Sequence, residues 1–268
     1  MREGKLEEAL ALYRKELQGS PDSPVANNAA GIVLDLMGRG AEARKYFAKA
    51  IDAAPDAGSK ATAQRAMAMS YAFEGDCGDT AKYEQQVFDY YVTAKDFYQQ
   101  GEIADEAARV CIDSGDLDAA AKWYKIGHDA GLQQPDITQD RRDLWEFRWE
   151  HAQARIAARR GNKGEAQKHV AAAKALLDKD PKMAGAQAQF FPYLAGYVAL
   201  YTGDYPTALS ELQKASQNDP FIQCLIGQVY ENTGDKAKAM DYYRKASMTT
   251  AHNPPAAYAR SLTRRKLE

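Results

Sequence analysis

Residues 219–249 read DPFIQCLIGQVYENTGDKAKAMDYYRKASMT, and the fold class follows from this stretch. Phe221, Leu225, Ile226, Val229 and Tyr230 recur at three- and four-residue steps, the period of one helix face. Gly234 then stands where a helix ends most easily, because glycine enters the left-handed region at least cost. Asp235 is a good N-cap for the next helix. Beyond it Ala239, Met240, Tyr243 and Ala246 share a second helical face. The segment is a helix, a tight Gly-Asp turn and an antiparallel helix.

The same spacing recurs along the chain: a Gly, an Ala five residues later, and usually a bulky side chain four after that. The copies are Gly4/Ala9/Tyr13, Gly38/Ala43/Phe47, Gly115/Ala120/Tyr124, Gly161/Ala166/Val170, Gly203/Ala208/Leu212 and Gly234/Ala239/Tyr243. Gly75/Ala81 reads as a degenerate copy with one extra residue. Seven residues before the turn stands a small side chain: Gly31, Ala68, Ala108, Ala154, Gly196 or Gly227. Small residues at both points let the paired helices approach, and the bulky residue fills the space beside the crossing. Neither helix buries its stripe alone, so the pairs must stack.

The pattern resembles the tetratricopeptide repeat, in a divergent, bacterial type. Ala30, Gly31, Leu34, Gly38, Ala43, Phe47, Ala50 and Pro55 fill nearly every signature position of one unit. Ala195, Gly196, Gly203, Ala208, Leu212, Ala215 and Pro220 do so in another. The signature Trp is absent. The resemblance implies an all-α protein, a right-handed α-solenoid of antiparallel helix pairs. About six units are expected, with a leading half-repeat and a C-terminal helix.

Successive turn glycines are 34, 37, 40, 46, 42 and 31 residues apart, against a regular repeat of about 34. The single domain expected over 1–268 therefore divides into regular units at 1–57 and 189–250, irregular lengthened units at 58–188, and a cap at 251–268. Residues 80–100 read as a lengthened second helix and 137–160 as a lengthened first helix. Residues 183–202 should kink or break at Pro192. Met1 enters just before a turn glycine, as in a fragment or a native half-repeat cap. Pro254-Pro255 should stop the array, with a basic helix at 256–266 covering the last repeat.

The chain has 268 residues, a net charge of −2 and 27% charged residues. That balance gives no general attraction for nucleic acid or anionic membrane. No apolar run reaches the length of a membrane span, and no signal peptide is visible. The chain reads as cytoplasmic, or as exported with its signal segment absent. Cys77, Cys111 and Cys224 are odd in number, far apart and without CxxC, so neither a disulfide nor a zinc site is expected, and the usage leans toward a reducing compartment.

Catalytic motifs are missing. Gly38–Ala43 fits GxGxxA but follows a helix rather than a strand. Residues 113–118 are rich in Asp but lack the spacing and terminal Glu of a calcium loop. His128, His151, His169 and His252 form no metal-binding pair. No enzyme activity, metal or cofactor is expected.

The resemblance places a binding face on the first helices of the units. Register then offers Asn28 and Asp35; Arg65, Met69 and Phe73; Asp105 and Arg109; Arg148, His151, Arg155 and Arg159; Tyr193, Tyr197 and Tyr201; Cys224, Gln228 and Glu231. Arg148, His151, Arg155 and Arg159 form one stripe, and the three tyrosines another. An Arg wall facing a Tyr wall suits an acidic or C-terminal peptide segment, since guanidinium forks pair with carboxylates. The Lys-Asn-Arg clamp by which some relatives hold chaperone C-termini is incomplete, with Asn28 out of register and Lys60 and Arg65 five apart. The expected function is a non-catalytic protein-interaction scaffold. The alternative is the accessory region of a larger enzyme or of a membrane-anchored or exported protein.

Overall fold

The computed structural model describes residues 2–267, so the reading of Met1 lies outside it. Among these residues it contains helices and no strand. A leading helix, α1 (Arg2–Gly19), is followed by pairs α2 (Pro24–Leu36) with α3 (Gly40–Asp52), α4 (Ala57–Ala72) with α5 (Cys77–Ala94), and α6 (Phe97–Ser114) with α7 (Leu117–Leu132). Next come α8 (Gln139–Arg159) with α9 (Lys163–Lys179), and, after α10 (Pro181–Gln187) and a 3-10 turn (Ala188–Phe190), α11 (Phe191–Tyr201) with α12 (Tyr205–Leu212). The last pair is α13 (Pro220–Asn232) with α14 (Lys236–Ala246), and α15 (Pro254–Leu267) ends the chain. Each helix packs mainly on its chain neighbours, and the first helices also touch in series: α2 on α4, α8 on α11, α11 on α13. This is the stacked, one-dimensional architecture of an α-solenoid.

The turn chemistry works as the spacing implies. Gly38, Gly75, Gly115, Gly161, Gly203 and Gly234 all have positive φ, between 75° and 96°. After five of them Asp76, Asp116, Asn162, Asp204 or Asp235 accepts a hydrogen bond from the backbone N–H three residues on. Only Arg39, after Gly38, gives no side-chain cap. The close-approach points are also as expected. A Cβ on Gly31 would lie 2.5 Å from the Phe47 ring, one on Gly227 2.5 Å from the Tyr243 ring, and one on Gly196 2.6 Å from Leu212.

Several expectations are corrected. Gly4 lies within α1 rather than at a turn. The copy at Gly75 has no insertion: Thr80 takes the small position and Glu84 the bulky one, both fully buried. Thr80 fits because its hydroxyl donates to the carbonyls of Asp76 and Ala68. The helix over 80–100 is two helices. Lys95 adopts φ 55° and ends α5, and Asp96 caps α6 through the N–H of Gln99. A left-handed Lys carries no Gly or Pro signal, so the pattern does not reveal the break. The segment at 183–202 does break, with Pro192 in the first turn of α11 where its missing N–H costs nothing. The long first helix over 137–160 is α8.

Cysteine pairing is the largest correction. Cys77 and Cys111 form a disulfide, with Cα atoms 4.7 Å apart. Helices α5 and α6 are antiparallel neighbours, so the first residue of one meets the last turns of the other. Cys224 is free and buried. The lean toward a reducing compartment therefore falls.

The lengthened centre is fixed by Trp145 of α8, which is 1% exposed. Its ring lies where a Cβ on Gly101 or Gly131 would fall, 2.1 Å away in each case. Helix α15 packs on α13 and α14, the last unit, as expected of a cap. It also packs on α4 and α6, far along the solenoid, so it spans the inner face rather than covering one end.

Candidate functional site

Six of the register-derived residues converge. Asp105 and Arg109 of α6, Arg148, His151 and Arg155 of α8, and Tyr193 of α11 line one cleft of about 300 Å³ on the inner face. Steps of three and four place the α8 residues on one side of that helix, and the break before α11 turns Tyr193 toward them. Phe221 of α13 and Pro254-Pro255 at the start of α15 close the cleft.

The Arg and Tyr walls do meet, and they bond to each other. Arg155 Nη1 donates to Tyr193 Oη at 2.9 Å, and Nη2 donates to Tyr124 Oη at 2.5 Å. Arg159 Nη1 donates to Tyr197 Oη at 3.3 Å, and its guanidinium lies 4.8 Å from the centre of the Tyr201 ring. Arg155 is 5% exposed and Tyr197 fully buried. The reading of Tyr197 as an outward-facing surface is thus corrected. Its ring packs on Tyr201 and Phe221 inside the inter-repeat core, because the close α11–α13 packing leaves no solvent there.

The electrostatics separate two kinds of cation. Arg148 is neutralised by Glu102, with Asp105 at 3.9 Å, and Arg65, half exposed, is paired with Glu106. Arg155 is buried and donates to two phenols and to the His151 carbonyl, with no carboxylate partner, and half-buried Arg109 makes no hydrogen bond or ion pair among the described residues. The acids beside them are weak counter-ions. Desolvation pushes the Asp105 carboxyl up to about 7 against the pull of Arg148, although 21% of its side chain remains exposed. Asp113, also desolvated, is likewise pushed up to about 7 against Arg109 and Arg155. Burial, then Arg155 and Arg109, hold His151 well below its usual range, so its ring is neutral at pH 7. Glu102, Glu106 and Asp219 line the cleft with Asp105, beside Arg109, Arg148 and Arg155.

The remaining positions lie elsewhere. Asn28 sits on α2, away from the cleft, with its amide oxygen buried and unbonded. Gln228 donates to Tyr258 Oη at 2.6 Å and is covered by α15. Met69 and Phe73 pack against Ala256 and Ala257 of the same helix. Reading the first helices alone misses Tyr124, the bulky repeat residue of a second helix, and it misses Phe190 of the 3-10 turn and the prolines of α15. Tyr124 is legible as a repeat position; the other contributions depend on tertiary packing. No group of three His, Cys, Asp or Glu among the described residues could hold a metal ion. No helix there is long and apolar enough to cross a membrane.

Models of the tetratricopeptide repeat match residues 1–69 and 193–253. The chain belongs to the tetratricopeptide-repeat family. The two matches cover α1 to α4 and α11 to the link before α15, and the lengthened repeats lie between them. A tetratricopeptide repeat protein from Parabacteroides merdae has the same fold, at 14% identity and a TM-score of 0.56, over 91% of this chain and 87% of that one. Cut9-Hcn1 of the APC/C hetero-tetramer aligns over 99% of this chain and 47% of that one, at 19% identity and a TM-score of 0.42. Yeast Tom70 aligns over 97% and 58%, at 15% identity and a TM-score of 0.40. No curated protein sequence matches the chain. Tetratricopeptide-repeat proteins bind protein partners, and this repeat array is a protein-interaction scaffold in architecture.

Proposed function

We propose that the whole of 1–268 is a non-catalytic scaffold that holds an acidic segment of a partner protein, a side-chain or C-terminal carboxylate, in the inner-face cleft. The observation that carries this reading is the pair Arg109 and Arg155, two guanidinium groups without a carboxylate partner in a walled cleft. Tyr193 and Phe221 supply apolar walls beside the charge, which suits a peptide chain better than a free ion. Arg148, His151 and Tyr193 are contact residues in this reading. Arg155, Arg159, Tyr197 and Tyr201 hold the wall in place.

Arg109 is the side chain to test, since its removal breaks no bond within the fold. Binding of fluorescent acidic peptides, with free and amidated C-termini, is compared between the native chain and Arg109→Ala. A charge-assisted hydrogen bond contributes about 1.5–3 kcal/mol, so affinity should fall roughly 10- to 100-fold. Equal affinity in the two chains, both folded, would refute the cleft as the site.

A second reading, the accessory region of an exported protein, is favoured by the Cys77–Cys111 disulfide, because such bonds persist in oxidising compartments. Labelling free thiols in intact cells checks it: Cys77 and Cys111 should resist alkylation there.

A further inference from the structure

Most charged groups of the Arg109 cleft are already matched. Glu102 holds Arg148, Glu106 holds Arg65, and Asp219 accepts from the backbone N–H of Phe221 at 2.8 Å. Asp105 is the exception among the acids. It accepts no hydrogen bond among the described residues, and its nearest cation, Arg148 at 3.9 Å, is already held by Glu102. Arg109 stands four residues from Asp105 on α6 and makes no ion pair with it. A cation and an anion therefore line one cleft, each without a close partner.

The ion pair of Arg148 with Glu102 fixes how α6 and α8 lie beside each other. Both are first helices of their units and run the same way. Seven residues on from that pair, Arg155 stands at the level of Arg109. Two guanidinium groups thus share one level of the cleft. The Asp105 carboxyl lies one turn back, roughly 6 Å away at 1.5 Å per residue. His151 falls between the two levels on α8. Burial, then Arg155 and Arg109, hold its ring neutral, so it sets no positive charge against a second cation. Tyr193 and Phe190, the latter 46% exposed, offer apolar surface to an aliphatic stem spanning the levels.

We propose that the cleft selects a partner chain whose last residue is basic, a C-terminal lysine or arginine, with its carboxylate on Arg109 beside Arg155 and its cationic side chain on Asp105. The inference rests on the proposed capture of a carboxylate at Arg109 and narrows it to the terminal one. Only a basic last residue carries both charges on one residue, joined by a stem long enough to cross one helical turn. An acidic last residue would set its side chain against Asp105. Burial pushes the Asp105 carboxyl up to about 7 against the pull of Arg148, and an incoming cation favours its ionised form.

The test uses the full chain and three Gly-Ser peptides, labelled with fluorescein at the amino end and differing only in a last residue of Lys, Ala or Glu. The native chain should bind the Lys-ended peptide roughly fivefold more tightly than the Ala-ended one, the upper range for a partly exposed ion pair. The Glu-ended peptide should bind most weakly. Asp105→Asn should bring the Lys-ended peptide down to the level of the Ala-ended one. Equal or tighter binding of the Glu-ended peptide to the native chain overturns the proposal, and this comparison needs no variant. A preference for Lys that survives in folded Asp105→Asn also overturns it. Nα-acetyl-lysine that displaces the Lys-ended peptide at equal concentration overturns it in favour of a small-molecule site. If the last side chain makes no difference while Arg109→Ala still weakens every peptide, this inference falls and the carboxylate reading stands. Binding of none of the peptides ends both.

Discussion

Glu84 stands where the other units place Phe47, Tyr124, Val170, Leu212 or Tyr243. It is fully buried, and neither carboxyl oxygen has a hydrogen-bond partner. Desolvation, and then the nearby Glu106, push its carboxyl well above the usual range, with Arg65 pulling the other way. A raised carboxyl pKa means that the folded state binds the proton more tightly than the unfolded state. Its contribution to stability is therefore complete below the unfolded pKa and is lost as pH rises through the folded value. Glu84→Leu restores the repeat's own choice at this place. The variant should exceed the native chain in stability by about 1–3 kcal/mol at pH 8, and the difference should shrink toward pH 4. Urea unfolding across that range measures it, and a difference independent of pH would show that Glu84 is not buried as a neutral acid.

At the scale of elements, helix ends and helix pairs follow from single positions. Glycine with an aspartate or asparagine after it ends one helix and starts the next, and five of six turns use both devices. The ends that the pattern does not reveal are those closed by other means, such as the left-handed Lys95. The disulfide also belongs to this scale, because it follows from the antiparallel placement of α5 and α6. Unfolded without reductant, the chain should present one reactive thiol, that of Cys224, and three after reduction. A 34-residue loop is closed by the bond. Its reduction should cost about 3–4 kcal/mol on the chain-entropy account, seen as a lower midpoint in denaturant. Three thiols before reduction would contradict the pairing.

In the whole molecule, a solenoid would ordinarily transmit stability only from unit to unit. Here α15 links non-neighbours, and His252 and Asp35 are paired across a separation of 217 residues. Asp35→Ala should therefore speed amide hydrogen exchange in α15 and in the facing parts of α13, while α8 and α9 change little. Exchange raised only in α2 and α3 would mean that the tail does not couple the ends.

The sequence by itself determined the helix pairs, their turns, the close-packing points and the family, because each rests on side chains within one unit or its neighbour. It also determined which residues share the stripe on α8, since a helix face is fixed by spacing. Tertiary structure decided which stripe residues remain accessible. Arg109 lies open in the cleft while Tyr197 is sealed, and the two look alike in register. It also decided that Cys77 reaches Cys111 and that the last helix lies along the inner face. Burial, disulfide pairing and the path of a terminal segment depend on how unequal repeats accumulate their rotation. No local pattern of residues carries that sum.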